Sequence, residues 1–176
     1  MFLFLCYNKF GDNMELLDVY NEFGKPTGKV VQRGCKDAFA PGERIAVAII
    51  YIENSKHEFL IQKTSEKKGG NYSSTGGHVD HGETPLETII REVKEELGID
   101  ISNEKIEDLG FQIIDFPVRF IFYLKKDIDI NDFVLQKDEV ESVSYMNEEQ
   151  IRDLIDKKQM HEAHGKILEL ILENRK

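Results

Sequence analysis

The chain has 176 residues, a length that suits one domain with a substantial hydrophobic core. Its 33 acidic and 23 basic residues give a formal net charge of −10, which argues against a broad binding surface for nucleic acid or for anionic membranes. Hydrophobic residues make up 40% and charged residues 32% of the chain, so a largely disordered protein is also excluded.

Residues 1–7 are apolar but too few to span a bilayer, and they lack the basic leader and cleavage site of a signal peptide. Cys6 and Cys35 are too few for a disulfide framework, and we expect both thiols to be reduced. The sequence therefore predicts a cytoplasmic protein without membrane contact. A clear pattern begins only after residue 13, so we expect residues 1–13 to be an extension and residues 14–176 to form a single domain.

Four segments in the first part of the chain predict strands. Residues 16–20 and 29–32 flank a Gly-Lys-Pro turn, which predicts a hairpin. Residues 45–52 are almost entirely apolar, and a strand of that kind is covered on both faces, so we expect it at the centre of a sheet. Residues 58–63 follow a short polar turn and should pair with that central strand.

A polar loop at residues 64–72 follows the fourth strand and carries several basic side chains. Lys63, Lys67 and Lys68 are placed to hold a substrate phosphate there. A solvated loop is an equally good interpretation of the same charges, because lysines in polar loops usually face water. Both interpretations stay open at this point.

The segment from Thr84 to Gly98 has the pattern of a capped amphipathic helix. Thr84 can cap the free amides, Pro85 tolerates the first helical position, and Glu87 completes a capping box. Gly98 supplies a left-handed stop. Apolar residues recur at helical spacing and predict one face packed on a core, formed by Leu86, Ile89, Ile90, Val93 and Leu97.

Three carboxylates occupy another face of the same helix. Glu92, Glu95 and Glu96 lie within about one turn of each other, where like charges repel. A solvated acidic face is the ordinary interpretation, but Lys94 is the only basic residue interleaved with these acids. The economical explanation is a divalent cation, Mg²⁺ or Mn²⁺, because both prefer hard oxygen ligands.

The second half of the chain predicts three more strands and two more helices. Asn147 and Gln150 cap a first helix, and apolar residues from Met160 onwards predict a second one. The fold that follows is α/β, with a mixed sheet, the acidic helix on one side and the C-terminal helices on the other. We expect the three strands at residues 109–114, 118–124 and 139–143.

Three side chains in this half are further candidates for a site. Arg119 alternates with Val118 and Phe120, so it should face away from one apolar layer and can meet a substrate. A surface arginine is the alternative. His161 and His164 share a helix face, but without further ligands an ordinary pair of histidines is the better interpretation.

Residues 77–99 resemble the Nudix box of the Nudix hydrolase family. The box spans a small part of the chain but is a specific short motif. The hairpin and Arg33 before it are similar to the lead-in of Nudix proteins related to isopentenyl-diphosphate isomerase. The resemblance implies an α/β/α sandwich. It covers every fixed position and spacing of the box, namely Gly77, Glu83, Arg91, Glu92, Glu95, Glu96 and Gly98, with Val93 and Ile99 aliphatic.

The resemblance also implies a reaction, which is the metal-dependent attack of water on a diphosphate that joins a nucleoside, or a related organic group, to another moiety. In that picture Glu92 and Glu96 are the principal metal ligands, and Glu95 is a further ligand or positions water. Arg91 reaches Glu95 four residues later and would orient it. Glu83 resembles the outer acidic residue of the family.

Two further roles concern residues outside the helix. In related Nudix proteins a glutamate just before the last strand is a metal ligand or the general base; Glu139 matches that position best and Glu141 is the second choice. The backbone at Gly76 can approach a metal or phosphate closely because no Cβ intervenes. The expected partner is a small nucleotide or organic diphosphate, with no nucleic acid or membrane, and we also consider a homodimer.

Two other functions are weighed against hydrolysis. Isopentenyl-diphosphate isomerases resemble this chain around the box, but they use a cysteine at the position of Gly76 and degrade the box glutamates. A non-catalytic nucleotide-binding module is the second alternative, and such modules usually lose box carboxylates, whereas none is lost here. His78 and His81 occupy variable box positions, where contact with phosphate is weighed against tolerated variation.

Overall fold

The computed structural model describes residues 3–4, 15–35 and 39–175. The extension expected at residues 1–13 lies outside these residues, except for a two-residue strand, β1 (Leu3–Phe4). The single domain expected at residues 14–176 remains a prediction. Among the described residues, no helix is long and apolar enough to cross a membrane.

The expected strands and helices are present, with bounds within a few residues of those predicted. The hairpin's second strand begins earlier than expected, and the segment before the acidic helix contains two short strands that the sequence did not predict. The further strands are β2 (Leu16–Tyr20), β3 (Pro26–Gln32), β4 (Arg44–Glu53), β5 (Phe59–Thr64), β6 (Tyr72–Ser73), β7 (Thr75–His78), β8 (Glu107–Ile113), β9 (Val118–Lys125) and β10 (Val140–Met146). The helices are α1 (Pro85–Leu97), α2 (Glu148–Asp156) and α3 (Ala163–Asn174).

Strand β4 lies at the centre of the mixed sheet, as its apolar sequence predicts. It pairs in parallel with β9, from Ala46 opposite Val118 to Glu53 opposite Lys125. It pairs in the antiparallel direction with β2, β5 and β7. Because β7 leads into α1, its pairing with β4 fixes the position at which that helix leaves the sheet.

Successive side chains of β4 point to opposite faces of the sheet, and each face has its own core. Ile50 is buried with Ile89 of α1 on one face. Tyr51 is buried with Ile151 of α2 and Ile167 of α3 on the other. The expected α/β fold, with the acidic helix on one side and the C-terminal helices on the other, is therefore confirmed.

Helix α1 begins and ends as predicted. Thr84 Oγ1 accepts a hydrogen bond from Glu87 N at 3.3 Å, and Glu87 Oε2 accepts one from Thr84 N at 2.8 Å, so the capping box is complete. Gly98 ends the helix with a φ of 73°, a left-handed conformation that glycine adopts without a steric penalty. Local sequence thus determines both ends of the helix.

The buried stripe of α1 is shorter than predicted at the N-terminal end of the helix. Ile89, Val93 and Leu97 are fully buried, whereas Leu86 is 41% exposed. At about 100° per residue, Leu86 falls between Val93 and Leu97 on the helix surface, so its angular position does not account for its exposure; it differs from them by lying in the first turn of the helix. The expectation that Leu86 faces the core is therefore wrong.

Cys35 also departs from expectation, because it is disulfide-bonded rather than reduced. It lies in a small core with Leu17, Val19 and Val31 of the β2–β3 hairpin. The expectation of a free thiol at Cys35 is therefore wrong. Cys6 lies outside the described residues.

Replacement of Leu97 by alanine should lower the free energy of unfolding by about 2–5 kcal/mol, because the loss of a fully buried side chain leaves a cavity. The same replacement at Leu86, which is 41% exposed on the same helix, should cost less than about 1 kcal/mol. Urea denaturation followed by circular dichroism measures both changes. Equal losses at the two positions would contradict this packing of α1.

Candidate active site

A cavity of about 530 Å³ opens between α1, strand β7 and the start of α3. We call it the acidic cavity, because Glu92, Glu95 and Glu96 of α1 line it. Gly76 and Gly77 of β7 form another part of the wall. Four basic and two further acidic side chains complete the charged lining, namely Arg33, Lys68, Arg91, Arg119, Glu15 and Glu139.

Arg91 holds three carboxylates at the edge of this cavity. Its Nε and Nη2 atoms donate to the two carboxylate oxygens of Glu83 at 2.8 and 3.0 Å. Its Nη1 atom donates to Glu92 at 2.9 Å and to Glu95 at 3.2 Å. The bond with Glu83 is the main cause that raises the pKa of Arg91, and the same bond lowers the pKa of Glu83. Arg91 therefore keeps these acids in place as a permanently charged group.

Glu92 lies against the backbone of β7, and Gly77 makes this approach possible. A Cβ atom on Gly77 would lie 2.0 Å from Oε1 of Glu92. The Glu92 side chain is only 15% exposed. Burial raises the pKa of its carboxyl, although the charge of Arg91 opposes this effect. A Cβ atom on Gly76 would lie 2.3 Å from the carbonyl oxygen of Ala48, so Gly76 is needed for the pairing of β7 with β4.

Glu96 also lines the acidic cavity, and Gln62 of β5 positions it. Gln62 Nε2 donates to Glu96 Oε2 at 3.0 Å, and Gln62 Oε1 accepts from Thr75 Oγ1 at 3.0 Å. Burial, with smaller contributions from the charges of Glu92 and Glu139, raises the pKa of Glu96 to about 7. Gln62 is not among the site residues that the sequence predicts; its only sequence signal is a polar residue directly after three apolar residues of a strand.

Glu139 lines the cavity immediately before β10. Its carboxylate lies 2.8 Å from Lys68 Nζ, and its carbonyl oxygen accepts from Ser65 N at 2.8 Å. Glu141, the second choice for the same role, lies 2.9 Å from Lys63 Nζ and is not part of the cavity wall. The geometry therefore favours Glu139, and its chemical role remains a prediction.

The three lysines considered for phosphate binding are placed differently. Lys68 lines the acidic cavity, whereas Lys63 and Lys67 do not. Lys63 forms an ion pair with Glu141, and Lys67 forms one with Asp138 at 2.5 Å. Both of these pairs direct the lysine charge towards a neighbouring acid of the β10 region rather than towards the cavity.

Two arginines supply the other positive charges of the wall. Arg119 is 13% exposed, and its guanidinium donates to the carbonyl oxygen of Ile114. Burial lowers the pKa of Arg119 from its ordinary value. Arg33 follows β3 and forms an ion pair with Glu15 at 2.5 Å. In the sequence, Arg33 stands out only as part of a resemblance, and the structure brings it to the cavity.

The model of the NUDIX domain matches residues 42–171, which is most of the chain and includes α1 with its acids. The chain belongs to the Nudix hydrolase family. It is therefore an enzyme of the pyrophosphohydrolase class. It is 37% identical over 152 residues to the uncharacterized Nudix hydrolase lin0387 of Listeria innocua, an alignment that covers 80% of this chain and 85% of that protein.

Solved structures share the Nudix architecture. The MutT protein from Methanosarcina mazei is 25% identical, with a TM-score of 0.61 over 75% of this chain and 96% of that one. DR0079 from Deinococcus radiodurans is 22% identical, with a TM-score of 0.66 over 81% of this chain and 90% of that one. At 22% identity, the similarity to DR0079 shows the fold alone.

Two histidines, His161 and His164, line the acidic cavity near the start of α3. His164 Nδ1 lies 2.8 Å from the hydroxyl oxygen of Tyr51, and its Nε2 lies 3.4 Å from Ser73 Oγ. Burial lowers the pKa of His164 to about 4, so the imidazole is neutral near pH 7. His161 lines the cavity beside it. The contacts of His164 agree with the interpretation of these residues as an ordinary pair.

The carboxylates of the acidic cavity are suitable ligands for a divalent cation, because such cations prefer oxygen donors. No set of three Asp, Glu, His or Cys side chains in the described part of the chain is already arranged as a metal site. Glu92 and Glu96 nevertheless supply hard oxygen donors in one partly buried space, and the charge of Glu92 helps to raise the pKa of Glu96. A cation between such groups replaces repulsion with attraction.

The buried carboxyl of Glu96 should make the metal-free protein less stable at about pH 8 than at about pH 5. Its pKa rises from 4.5 to about 7 on folding, so the folded chain retains a proton that the unfolded chain has released. Stability therefore falls as the pH rises through this window, by at most about 3 kcal/mol.

Glu96→Gln removes this ionisation and keeps an acceptor for Gln62, so the variant should lose less stability between the two pH values. Urea denaturation in the presence of EDTA measures the difference. A variant with the same pH dependence as the parent chain would show that the pKa of Glu96 is not raised.

Proposed function

We propose that this Nudix chain is a metal-dependent hydrolase that cleaves the diphosphate linkage of a nucleoside diphosphate joined to another moiety, or of a related organic diphosphate, by attack of water. The observation that carries the proposal is one cavity whose wall holds the α1 carboxylates together with Arg33, Lys68 and Arg119. Carboxylates alone would repel a diphosphate. Basic side chains and cations are both needed to hold it at this wall.

In this proposal Glu92 and Glu96 hold Mg²⁺ or Mn²⁺, with Glu95, the outer Glu83 and the backbone at Gly76 as further contributors. Nudix hydrolases generally use divalent metal ions. When bound, such a cation neutralises phosphate charge and makes a water molecule more acidic. The raised pKa values of Glu92 and Glu96 support the assignment, because ionised carboxylates in a partly buried space are stabilised by a positive ion.

The remaining side chains position the reactants and accept the proton. Glu139 takes the proton of the attacking water, with Glu95 as the second candidate. Lys68 lies 2.8 Å from Glu139, so it can contact a phosphate that reaches this carboxylate. Arg119 also lines the wall and is a further substrate contact. Arg91 acts through the carboxylates that it holds and is a positioning residue.

The phosphate role first considered for Lys63 and Lys67 has less support, because both are paired with acids away from the wall. The isomerase alternative also has little support. Gly76 stands where that family uses a cysteine, and Cys35 is disulfide-bonded and does not line the acidic cavity. Hydrolysis is therefore the function that the geometry favours.

We further propose a cytoplasmic protein with one domain at residues 14–176 and a small-molecule partner. A formal net charge of −10 disfavours nucleic acid and anionic membranes as partners. A homodimer remains a proposal, and light scattering after size-exclusion chromatography measures it directly.

Glu96→Gln should lower kcat/KM by about a hundredfold or more, the scale expected when a group that stabilises the transition state is lost. Glu87→Gln is the matched control, because Glu87 belongs to the same helix, lies outside the cavity wall, and can be replaced by glutamine in a capping box. The control should keep the parent activity.

The assay is Mg²⁺-dependent release of phosphate or nucleoside monophosphate from a substrate panel. The panel contains nucleoside triphosphates, dinucleoside polyphosphates, ADP-ribose, NADH, coenzyme A and sugar nucleotides. Full turnover by Glu96→Gln on the preferred substrate, or undiminished turnover in EDTA, would rule out the assigned metal role.

Gly77→Ala should weaken Mn²⁺ or Mg²⁺ binding by about tenfold or more, because the new Cβ would lie 2.0 Å from Glu92 Oε1 and must displace that carboxylate. Gly165→Ala in α3 is the control, since a Cβ there meets only Ile155 Cδ1 at 3.8 Å. Isothermal titration calorimetry measures the affinities. Unchanged metal affinity in a folded Gly77→Ala variant would remove Glu92 from the ligand set.

A further inference from the structure

A second pocket, about 550 Å³ in volume, lies on the β2–β3 side of the acidic cavity. We call it the hairpin pocket. Leu17, Ile45, Phe39 and Phe116 line it, and Leu17 is only 1% exposed. The rings of Phe39 and Phe116 meet edge to face, with centroids 5.0 Å apart. These side chains give the pocket a largely apolar wall.

The hairpin pocket borders the acidic cavity. Arg33 and His78 line both spaces. Phe116 lines the hairpin pocket, and its chain neighbour Pro117 lines the acidic cavity. His78 directly follows Gly77, whose backbone lies against Glu92. The two spaces therefore share a boundary at Arg33 and His78, which a molecule with its diphosphate at the carboxylates would have to cross to reach the hairpin pocket.

Apart from the buried Oε1 of Gln32, which has no hydrogen-bond partner, the wall offers few partners to polar groups. Its polar side chains are Gln32, Arg33 and His78, and Arg33 is already paired with Glu15 at 2.5 Å. A sugar or a nucleobase presents several N–H, C=O or O–H groups, and each one that is buried without a partner is unfavourable. An apolar group loses no hydrogen bonds on entering such a pocket and gains from leaving water.

We propose that the hairpin pocket is a subsite for an apolar substituent, an alkyl chain or an unsubstituted aromatic ring, attached to the diphosphate that the acidic cavity hydrolyses. The subsite rests on the proposed function, because it requires a diphosphate at the carboxylates. Pockets that enclose small organic molecules usually measure about 300–1,000 Å³, so a volume of about 550 Å³ accommodates a substituent of several carbon atoms.

The test uses esters of ADP whose β-phosphate carries a methyl, butyl or hexyl group, with the full chain and Mg²⁺. Each methylene group that enters the pocket should raise kcat/KM by about fourfold, so butyl, with three more methylene groups, should exceed methyl by about sixtyfold if all three enter. The change should appear in KM rather than in kcat, because the pocket lies away from the bond that breaks.

Phe116→Ala removes one wall of the hairpin pocket and should reduce the butyl-to-methyl ratio to about threefold or less. The carbonyl oxygen of Phe116, which accepts from Arg44 Nη1 at 3.1 Å, is retained in this variant. Phe23→Ala is the matched control, because Phe23 is 67% exposed and lines neither space. The control should keep the full ratio.

Ile45→Phe is a second variant, which fills the hairpin pocket instead of opening it. It should lower the butyl-to-methyl ratio of kcat/KM to about one. Thermal unfolding of each variant establishes that it is folded. If Phe116→Ala and Ile45→Phe both fold and both keep the parent ratio, the subsite is overturned.

The outcomes separate this proposal from the proposed function. Equal kcat/KM values for the three esters in the parent chain overturn the subsite and leave the hydrolase assignment intact. If Mg²⁺ supports hydrolysis of none of them, the function fails for this class of substrate, and calorimetric Kd values decide the subsite. If the butyl ester binds at least about tenfold more tightly than the methyl ester, the subsite is supported. If the two esters bind equally, or neither binds, the subsite is overturned.

Discussion

The close packing of α1 on β7 and β4 is the constraint on which the site depends. Ile89 and Val93 hold the helix on the sheet, and Gly77 allows Glu92 to lie against the backbone of the neighbouring strand. A larger residue in place of Gly77 would move the carboxylate away from the sheet. The apolar stripe and the acidic face are therefore two consequences of one helix orientation, and the cavity exists because both are satisfied together.

This orientation brings several carboxylates into one partly buried space. The hydrogen-bond donors around them offset their negative charges unequally. Arg91 donates hydrogen bonds to Glu83, Glu92 and Glu95. Glu96 receives its hydrogen bond from the neutral amide of Gln62, and its pKa rises to about 7. A neutral donor offsets little of the cost of a buried charge, so Glu96 is the acid that gains most from a bound cation. This electrostatic imbalance supports the proposed metal dependence.

The two spaces beside β7 differ in chemistry while sharing Arg33 and His78 at their boundary. The acidic cavity suits a charged group that every diphosphate substrate carries. The hairpin pocket, with Phe39 and Phe116 in its wall, suits a part of the molecule that differs between substrates. The proposed subsite would lie mostly outside the box, because His78 is the one residue of its described lining that belongs to residues 77–99.

The sequence by itself determined the family, the fold class and the α1 helix, because caps, periodic burial and the spacing of Glu92 and Glu96 depend on residues within a few turns of each other. Only the tertiary structure decided that Leu86 is exposed, that Lys68 rather than Lys63 lines the cavity, and that Gln62 positions Glu96. It also decided that Leu17, Ile45 and Phe116 together line the hairpin pocket. These features join residues that are far apart in the chain, and local patterns do not encode which side chains from different elements meet, because that depends on strand register and on how the helices lie against the sheet.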